Sequence, residues 1–150
     1  MTDIPVPAEY RAIADLPLTV EGVDYEQFEQ DTSSGFTRVT TVFELGGEGA
    51  TGRGEDVTYD TEDHERLAAA LDAGEFPLPT GEFSFDEFST ALDDADLFPG
   101  NGPEREDSVD YRRWAVESAA LDLALRQNGT TLPALLDREH QPVRFVASTR

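Results

Sequence analysis

The chain has 150 residues, which is enough for one ordinary domain and too few for two of normal size. It carries 32 acidic and 11 basic residues, a formal net charge of -21, and this balance excludes a nucleic-acid binder that works by neutralising phosphates. Cysteine is absent, which excludes both a disulfide framework and a thiolate zinc site.

All of the basic residues are Arg, and the acidic residues are spread over the whole chain rather than grouped in one block. This pattern favours an acidic surface adapted to high salt, in which self-repulsion is screened. A mimic of nucleic acid that binds basic proteins is an alternative that stays open. Disorder is disfavoured because 38% of the residues are hydrophobic and follow clear periodic patterns.

The N-terminus has neither the basic segment nor the apolar run of a secretion signal, and no apolar run approaches the length that spans a membrane. The sequence therefore predicts a cytoplasmic protein, with no membrane and no nucleic acid among its partners. A homo-oligomer is left open.

Taken in chain order, the first half predicts a small sheet. Residues 1–17 contain three prolines and predict an irregular lead-in with a helical turn over 8–14. Residues 18–30 alternate in polarity with a change of phase at Gly22, which is typical of one bulged strand. The clearest strand spans 36–45, and its predicted inner face consists of Val39, Thr41, Phe43 and Leu45. A glycine-rich third strand over 50–57 completes a three-stranded antiparallel meander.

Helices are predicted to follow the sheet. A first helix is predicted over 60–74, with Gly74 as its end. After a loop over 77–81, Ser84 and Glu87 form the pattern of a capping box, while Phe83 and Phe88 have the spacing of a hydrophobic staple. These signals predict that a second helix begins at this point and continues to residue 92.

The longest helical pattern covers 108–127 and ends at Asn128-Gly129. Its predicted apolar face consists of Trp114, Ser118, Leu121 and Leu125, with alanines on the flanks, and Trp114 is interpreted as a core anchor. Residues 130–136 predict a short further helix. Residues 142–148 predict a compact apolar strand, which needs neighbouring strands.

Three patterns that suggest ligands are weaker. The glycines between 46 and 54 match neither common phosphate-loop spacing, and acidic residues nearby would repel phosphate. His64 and His140 lie far apart without the spacing of metal ligands. The acidic residues over 55–63 lack the pattern of a calcium loop. We therefore predict no cofactor and no metal site in this chain.

The segment AVESAALDLALRQNGTTLPALLD, over 115–137, follows a predicted meander and helices and precedes PVRFVAS. In this order it resembles the N-terminal capping domain of the enolase superfamily, in the branch of mandelate racemase and muconate-lactonising enzymes. Glu117, the run over 120–123 and Gly129 carry the similarity. Gln127 and Asn128 depart from it, because a Gly-Lys pair is common at that turn.

The resemblance implies an α+β fold, with a three-stranded antiparallel meander followed by three to four helices and then the first strand of a TIM-type barrel. It implies a capping domain over 1–140 and the start of a barrel over 141–150. The family's Lys, Asp or Glu bases and its Mg²⁺ belong to the barrel. Because this chain has no Lys and no further barrel strands, the chain alone is expected to be inactive. The parent enzyme would be a racemase or epimerase, a cycloisomerase or a dehydratase.

In that family the capping domain covers the substrate with two loops, which correspond here to 30–36 and 53–60. Phe36 would supply apolar cover, and Arg53 and Tyr59 would reach a carboxylate-bearing substrate held with the barrel. Structural alternatives stay open for all three: Phe36 as a core residue, Arg53 paired with Glu55 or Asp56, and Tyr59 packed on the first helix. The alternative function is a free-standing acidic module for protein interaction, without catalysis.

Overall fold

The computed structural model describes residues 4–148. The helices and strands follow one another in this order: α1 (Ala8–Ala14), β1 (Pro17–Val20), β2 (Gly22–Asp31), β3 (Thr37–Gly47), β4 (Ala50–Asp56), α2 (Thr61–Asp72), β5 (Gly81–Ser84), α3 (Phe85–Ala91), α4 (Ser108–Gln127) and α5 (Leu132–Leu135). A single 3-10 turn, Leu92–Asp94, extends α3. The fold class is α+β, as the sequence predicts.

The three-stranded antiparallel meander is confirmed, with the strand order β2-β3-β4. In the middle of the sheet Tyr25 lies opposite Phe43, and Phe43 lies opposite Gly54. The predicted inner face of β3 is also confirmed: its alternate residues Val39, Thr41, Phe43 and Leu45 are buried. Alternation with a period of two residues was sufficient to assign this face.

The single bulged strand predicted over 18–30 is wrong. The chain changes sheet at Glu21, so that β1 pairs with β5 in a separate two-stranded sheet, with Leu18 opposite Phe83. Glu21 itself donates its backbone N–H to Gly46 O at 2.8 Å. The change of phase at Gly22 therefore marks a change of partner rather than a bulge. Strand β5 is missed by the sequence because it is short and runs directly into α3.

Helix α4 packs directly on β4. A Cβ atom added at Gly54 would collide with Ala115 O, and one added at Gly52 would collide with Ala119 O. The two backbones approach so closely only because both elements present small residues at the contact. The resulting layer of sheet and helix holds the main core.

The buried face predicted for α4 is confirmed at its alanine flank and wrong at Trp114 and Ser118. Trp114 is 62% exposed, and Ser118 is exposed as well. The buried face is centred on the alanine flank and consists of Ala115, Val116, Ala119, Ala120, Leu123 and Ala124. Contact with the glycines of β4 requires small side chains, so the alanine side faces the sheet and the bulkier Trp114 points outward.

The predicted start of α3 is confirmed. Ser84 N donates to Glu87 Oε2 at 2.7 Å, and Glu87 N donates to Ser84 Oγ at 3.1 Å. Phe83 packs edge-on against Phe88, with 5.7 Å between the ring centroids. Both interactions are local in sequence, which is why they are predictable.

The end of α4 joins the two sheets. Gln127 Oε1 accepts from Thr19 N at 2.9 Å, while Gln127 Nε2 donates to Thr19 O at 2.8 Å and to Gly47 O at 3.0 Å. The next residue, Asn128, donates through Nδ2 to Pro17 O at 2.8 Å. These two amides thus fix β1 to the last turn of α4.

The strand predicted over 142–148 does not form, and residues 138–148 have no regular secondary structure. Phe145 and Val146 are 92% and 96% exposed, because no strand among residues 4–148 pairs with this segment. The remainder of the predicted barrel start, 149–150, and the first residues of the lead-in, 1–3, lie outside the described residues. None of the described helices combines the length and apolarity needed to cross a membrane.

Candidate functional site

The two segments proposed to cover a substrate lie side by side at one end of the meander. The predicted loops over 30–36 and 53–60 are shorter than expected, because residues 30–31 and 53–56 pair with β3 as the ends of β2 and β4. Residues 32–36 form the turn between β2 and β3, and residues 57–60 follow β4. Two hydrogen bonds hold the start of β3 beside the second segment and α2: Arg38 Nη2 donates to Val57 O at 2.8 Å, and Thr61 Oγ1 donates to Thr37 O at 2.9 Å. The turn itself closes on Thr32, whose N–H and hydroxyl both donate to Phe36 O, with Gly35 at a φ of 83°.

Two of the three candidate residues meet at this end. The rings of Phe36 and Tyr59 are tilted by 40°, with 5.3 Å between their centroids. Tyr59 remains 41% exposed. Phe36 is half-buried, so Tyr59 supplies most of the exposed surface of the pair.

Arg53 lies elsewhere, on the exposed side of β4. Its Nε donates to Glu44 Oε1 at 2.8 Å, so its carboxylate partner is Glu44 rather than Glu55 or Asp56. The hydrogen bond and charge of Glu44 raise the pKa of the Arg53 guanidinium. Its backbone N–H donates to Asp122 Oδ2 at 2.9 Å, which attaches β4 to α4. Arg53 is thus separated from the aromatic pair.

Two other arginines occupy the place expected for Arg53. The guanidinium carbons of Arg38 and Arg105 lie 5.3 Å and 4.5 Å from the centroid of the Tyr59 ring. Arg105 also donates from Nε to Asp60 Oδ2 at 2.8 Å, and this bond raises the pKa of its guanidinium. Cation–π contacts of this kind hold the guanidinium groups against the ring face.

No local pattern in the sequence joins these two arginines. Arg38 belongs to β3, whereas Arg105 lies in the segment between α3 and α4. Arg105 and Tyr59 are far apart in the sequence, and only the folding of the chain brings them into contact.

A cleft of about 380 Å³ opens beside Tyr59. Its lining residues are Arg38, Val57, Tyr59, Arg105, Asp107 and Tyr111. Tyr111 in turn lies against Trp114, with 6.0 Å between the ring centroids. The cleft therefore combines two guanidinium groups with flat apolar walls, a composition suited to a small anion that carries an apolar group.

A buried ion network lies beneath the cleft. Arg112 is 1% exposed, and its Nε donates to Asp56 Oδ2 at 2.8 Å. Its two other nitrogens donate to Leu97 O at 3.0 Å and to Asp63 O at 3.1 Å. Burial lowers the pKa of the Arg112 guanidinium, and the charge and hydrogen bond of Asp56 oppose that shift. Asp56 Oδ1 also accepts from Thr58 N at 2.9 Å, so the network fixes the start of 57–60.

His64 belongs to the same buried layer. Its Nε2 lies 2.7 Å from Thr58 O, and its Nδ1 lies 2.7 Å from Thr41 Oγ1. A carbonyl oxygen only accepts, so Nε2 carries the proton. Gln27 Nε2 donates to the Thr41 hydroxyl at 3.0 Å, which leaves that hydroxyl free to donate to Nδ1. Both ring nitrogens are thus engaged, and His64 has a structural role.

Asp63 anchors the segment between α3 and α4 that contains Arg105. Glu104 N donates to Asp63 Oδ2 at 3.1 Å, and Arg66 Nη1 lies 3.3 Å from Asp63 Oδ1. Glu104 is the neighbour of Arg105, so the buried carboxylate of Asp63 helps to place that arginine. Among residues 4–148 there is no group of three or more His, Cys, Asp or Glu side chains arranged to hold a metal ion.

No curated protein matches the chain. The sequence model described as "Domain of unknown function (DUF8230) N-terminal domain" matches residues 11–135. The match includes the whole meander, α2 to α4 and every residue that lines the cleft. The chain therefore belongs to the family of DUF8230 N-terminal domains.

Proposed function

We propose that the chain is the capping domain of an enolase-superfamily enzyme, and that it covers a carboxylate-bearing substrate. The observation that carries this proposal is the contact between Phe36 and Tyr59. These residues come from the two segments that the resemblance assigns to substrate cover, and they meet at one end of the sheet beside an open cleft.

The order of the elements supports the proposal. A meander of β2, β3 and β4 is followed by α2, α3, a long α4 and a short α5. The resemblance implies this same order, with three to four helices after the sheet. The additional pair β1 and β5 lies outside that expectation.

The segment over 142–148 supports a barrel next to this domain. Val143, Phe145 and Val146 are exposed at 72%, 92% and 96%. A strand of a parallel barrel is buried on both faces and is therefore apolar on both. Neighbouring barrel strands would cover these side chains and give the segment its missing hydrogen-bond partners.

In this proposal the domain supplies binding and cover. Mg²⁺ and the proton-abstracting bases of the resembled family belong to the barrel, and this chain contains no Lys. Phe36 and Tyr59 would exclude water from the barrel mouth, while the nearby guanidinium groups would hold a negatively charged part of the substrate. The reaction would be an epimerisation, cycloisomerisation or dehydration that begins by removal of a proton α to a carboxylate.

The coding sequence beyond residue 150 provides the test. We expect it to continue through a Lys-x-Lys strand and spaced acidic residues at strand ends. The complete product with Mg²⁺ should exchange the α-proton of a carboxylate substrate in deuterated water, as followed by proton NMR. Tyr59→Ala should raise KM more than it lowers kcat, whereas Arg126→Gln, on the exposed side of α4, should change neither. A reading frame without these strand ends would refute the proposal.

The alternative function, an acidic module for protein interaction, is favoured by one observation. Trp114 and Val109, which are 62% and 42% exposed, give α4 an exposed apolar side, and the half-buried Tyr111 packs against Trp114. Aromatic residues are enriched in protein interfaces. A stop codon directly after residue 150, together with full stability of the isolated chain, would favour this function over the capping role.

A further inference from the structure

We infer that the cleft between Arg38 and Arg105 binds an organic monoanion whose carboxylate is attached to a flat apolar group, as in an aryl carboxylate. This inference deepens the proposed function, because it names the kind of group that this domain would cover. It rests on that function only for the biological role of the site, since binding itself involves residues of this chain alone.

Arg38, like Arg11 and Arg144, forms no ion pair within residues 4–148, but of these three only Arg38 lines the cleft. Seven of the described arginines lie within 4.0 Å of a carboxylate oxygen, and Arg38 is not among them. Its one hydrogen bond to the described residues runs from Nη2 to Val57 O. The remaining N–H groups of this half-buried guanidinium are therefore available to an external acceptor.

Arg105 places a second positive charge at the same ring. Asp60 occupies its Nε, and the ion pair has an N–O distance of 2.8 Å. Its terminal nitrogens form no hydrogen bond within residues 4–148, so they too have donors to offer. Both guanidinium carbons lie within 5.3 Å of the Tyr59 centroid. Because both arginines also line the cleft, their free N–H groups can bind the carboxylate of a ligand held there.

The other residues that line the cleft indicate the size and polarity of the rest of the ligand. Val57 and Tyr59 are 43% and 41% exposed, and Tyr111 completes an apolar wall. The volume of about 380 Å³ lies within the range of sites for small molecules and accommodates a single ring. Asp107 also lines the cleft, and its carboxylate repels a doubly charged anion about twice as strongly as a singly charged one. A carboxylate is therefore favoured over phosphate.

The cleft is held in place before a ligand arrives. Arg112 and Asp56 fix the segment that bears Val57 and Tyr59, as described above. Asp63 accepts the backbone N–H of Glu104, which precedes Arg105. A site with fixed walls binds with a smaller loss of conformational entropy.

The test is an NMR titration of the ¹⁵N-labelled chain at constant ionic strength. The probes are benzoate, the neutral isostere benzamide, and inorganic phosphate. Benzoate should cause saturable shifts in the Nε–Hε resonances of Arg38 and Arg105 and in the amide of Tyr59. Benzamide and phosphate should cause none at the same concentrations.

Variants identify the site. Arg38→Gln should weaken benzoate binding about tenfold or more, the effect expected for loss of a charge-assisted hydrogen bond. Arg105→Gln should weaken it similarly, and the ¹⁵N spectrum will show whether the loop around it is unchanged. Arg126→Gln is the matched control, because it removes an arginine on the exposed surface of α4 and should leave binding unchanged.

Three results would overturn the inference: absence of saturable shifts with benzoate, equal binding of benzamide or phosphate, or unchanged affinity in Arg38→Gln. The inference and the proposed function fail separately. If benzoate binds but the complete product does not exchange the α-proton, the capping role is refuted and the binding site stands. If the α-proton exchanges but benzoate does not bind, the binding site is refuted and the capping role stands.

Discussion

Arg112 Nε donates to Asp56 Oδ2 at 2.8 Å in the interior of the protein, with the two side chains 1% and 0% exposed. The guanidinium also lies 3.7 Å from the centroid of the Phe98 ring. Because its three nitrogens reach β4, α2 and the loop before α4, one side chain links three parts of the fold. An internal charge of this kind stabilises the fold only while its partners stay in place.

Arg112→Met should therefore lower the free energy of unfolding by about 3–5 kcal/mol, because it leaves the Asp56 carboxylate buried and unpaired. Urea denaturation at fixed salt concentration measures the change. Arg126→Met is the control: it removes an exposed pair with Asp122 and should cost no more than about 0.5 kcal/mol. Equal losses in the two variants would contradict a special role for the internal pair.

Gly54→Ala should cost about 3 kcal/mol or more, at the upper end of the range for overpacking, because the new methyl group would meet the backbone oxygen of Ala115. Neither β4 nor α4 can move aside without breaking other contacts. Gly22→Ala tests the same chemical change in open space, since nothing lies within 4 Å of an added Cβ there. It should change stability by less than about 1 kcal/mol. Thermal unfolding of both variants compares them, and similar midpoints would refute the close packing.

Tyr10 gives a prediction for alkaline pH. Burial raises the pKa of Tyr10 to about 12, and its hydrogen bond to Asp86 at 2.7 Å adds to the shift. The folded state thus holds the phenolic proton more tightly than the unfolded state. The associated stability is present below pH 10 and is lost as the pH rises from about 10 to 12.

Tyr10→Phe should accordingly flatten the fall in stability over that window. At neutral pH it should cost only about 0.5–1.5 kcal/mol, the value of one hydrogen bond. Urea midpoints measured at intervals between neutral and strongly alkaline pH provide the comparison. Parallel pH profiles for the variant and the unmodified chain would show that Tyr10 does not carry this dependence.

Salt should stabilise the fold. At a net charge of -21 the compact state repels itself, and raising the salt concentration from about 0.1 M to 1 M shortens the Debye length from about 10 Å to 3 Å. The urea midpoint should therefore increase with KCl. A double variant of exposed acids on β2, Asp24→Asn with Glu26→Gln, should depend less on salt. A midpoint that is constant or falls with KCl would contradict the interpretation of a surface adapted to high salt.

Features encoded within a few residues were predictable from the sequence. The capping box of Ser84 and Glu87 and the inner face of β3 follow from spacing alone, and both are confirmed. The three-stranded antiparallel meander follows from the alternating strands and the turn residues between them, and it is confirmed as well. The fold class could therefore be predicted before any coordinates were known.

Features that depend on two distant segments were not predictable. The small residues of α4 and the glycines of β4 were both visible, but hydrophobicity favoured Trp114 as the buried residue. The structure reverses this choice because two backbones meet at Gly52 and Gly54. Arg105 is a similar case, since only the folded loop brings it to Tyr59.

The amide of Gln127 has a consequence for how the two sheets are joined. Its carbonyl accepts from Thr19 N and its NH₂ group donates to Thr19 O and Gly47 O, so one side chain imitates a peptide unit of an additional strand. Helix α4 thus links β1 to β3 through the hydrogen bonds of a side chain, without a strand between them. A glutamate side chain has the same shape but no N–H group, so it could not donate to Thr19 O and Gly47 O. The Gln127 amide therefore connects the backbone of β1 to that of β3 at the end of the meander.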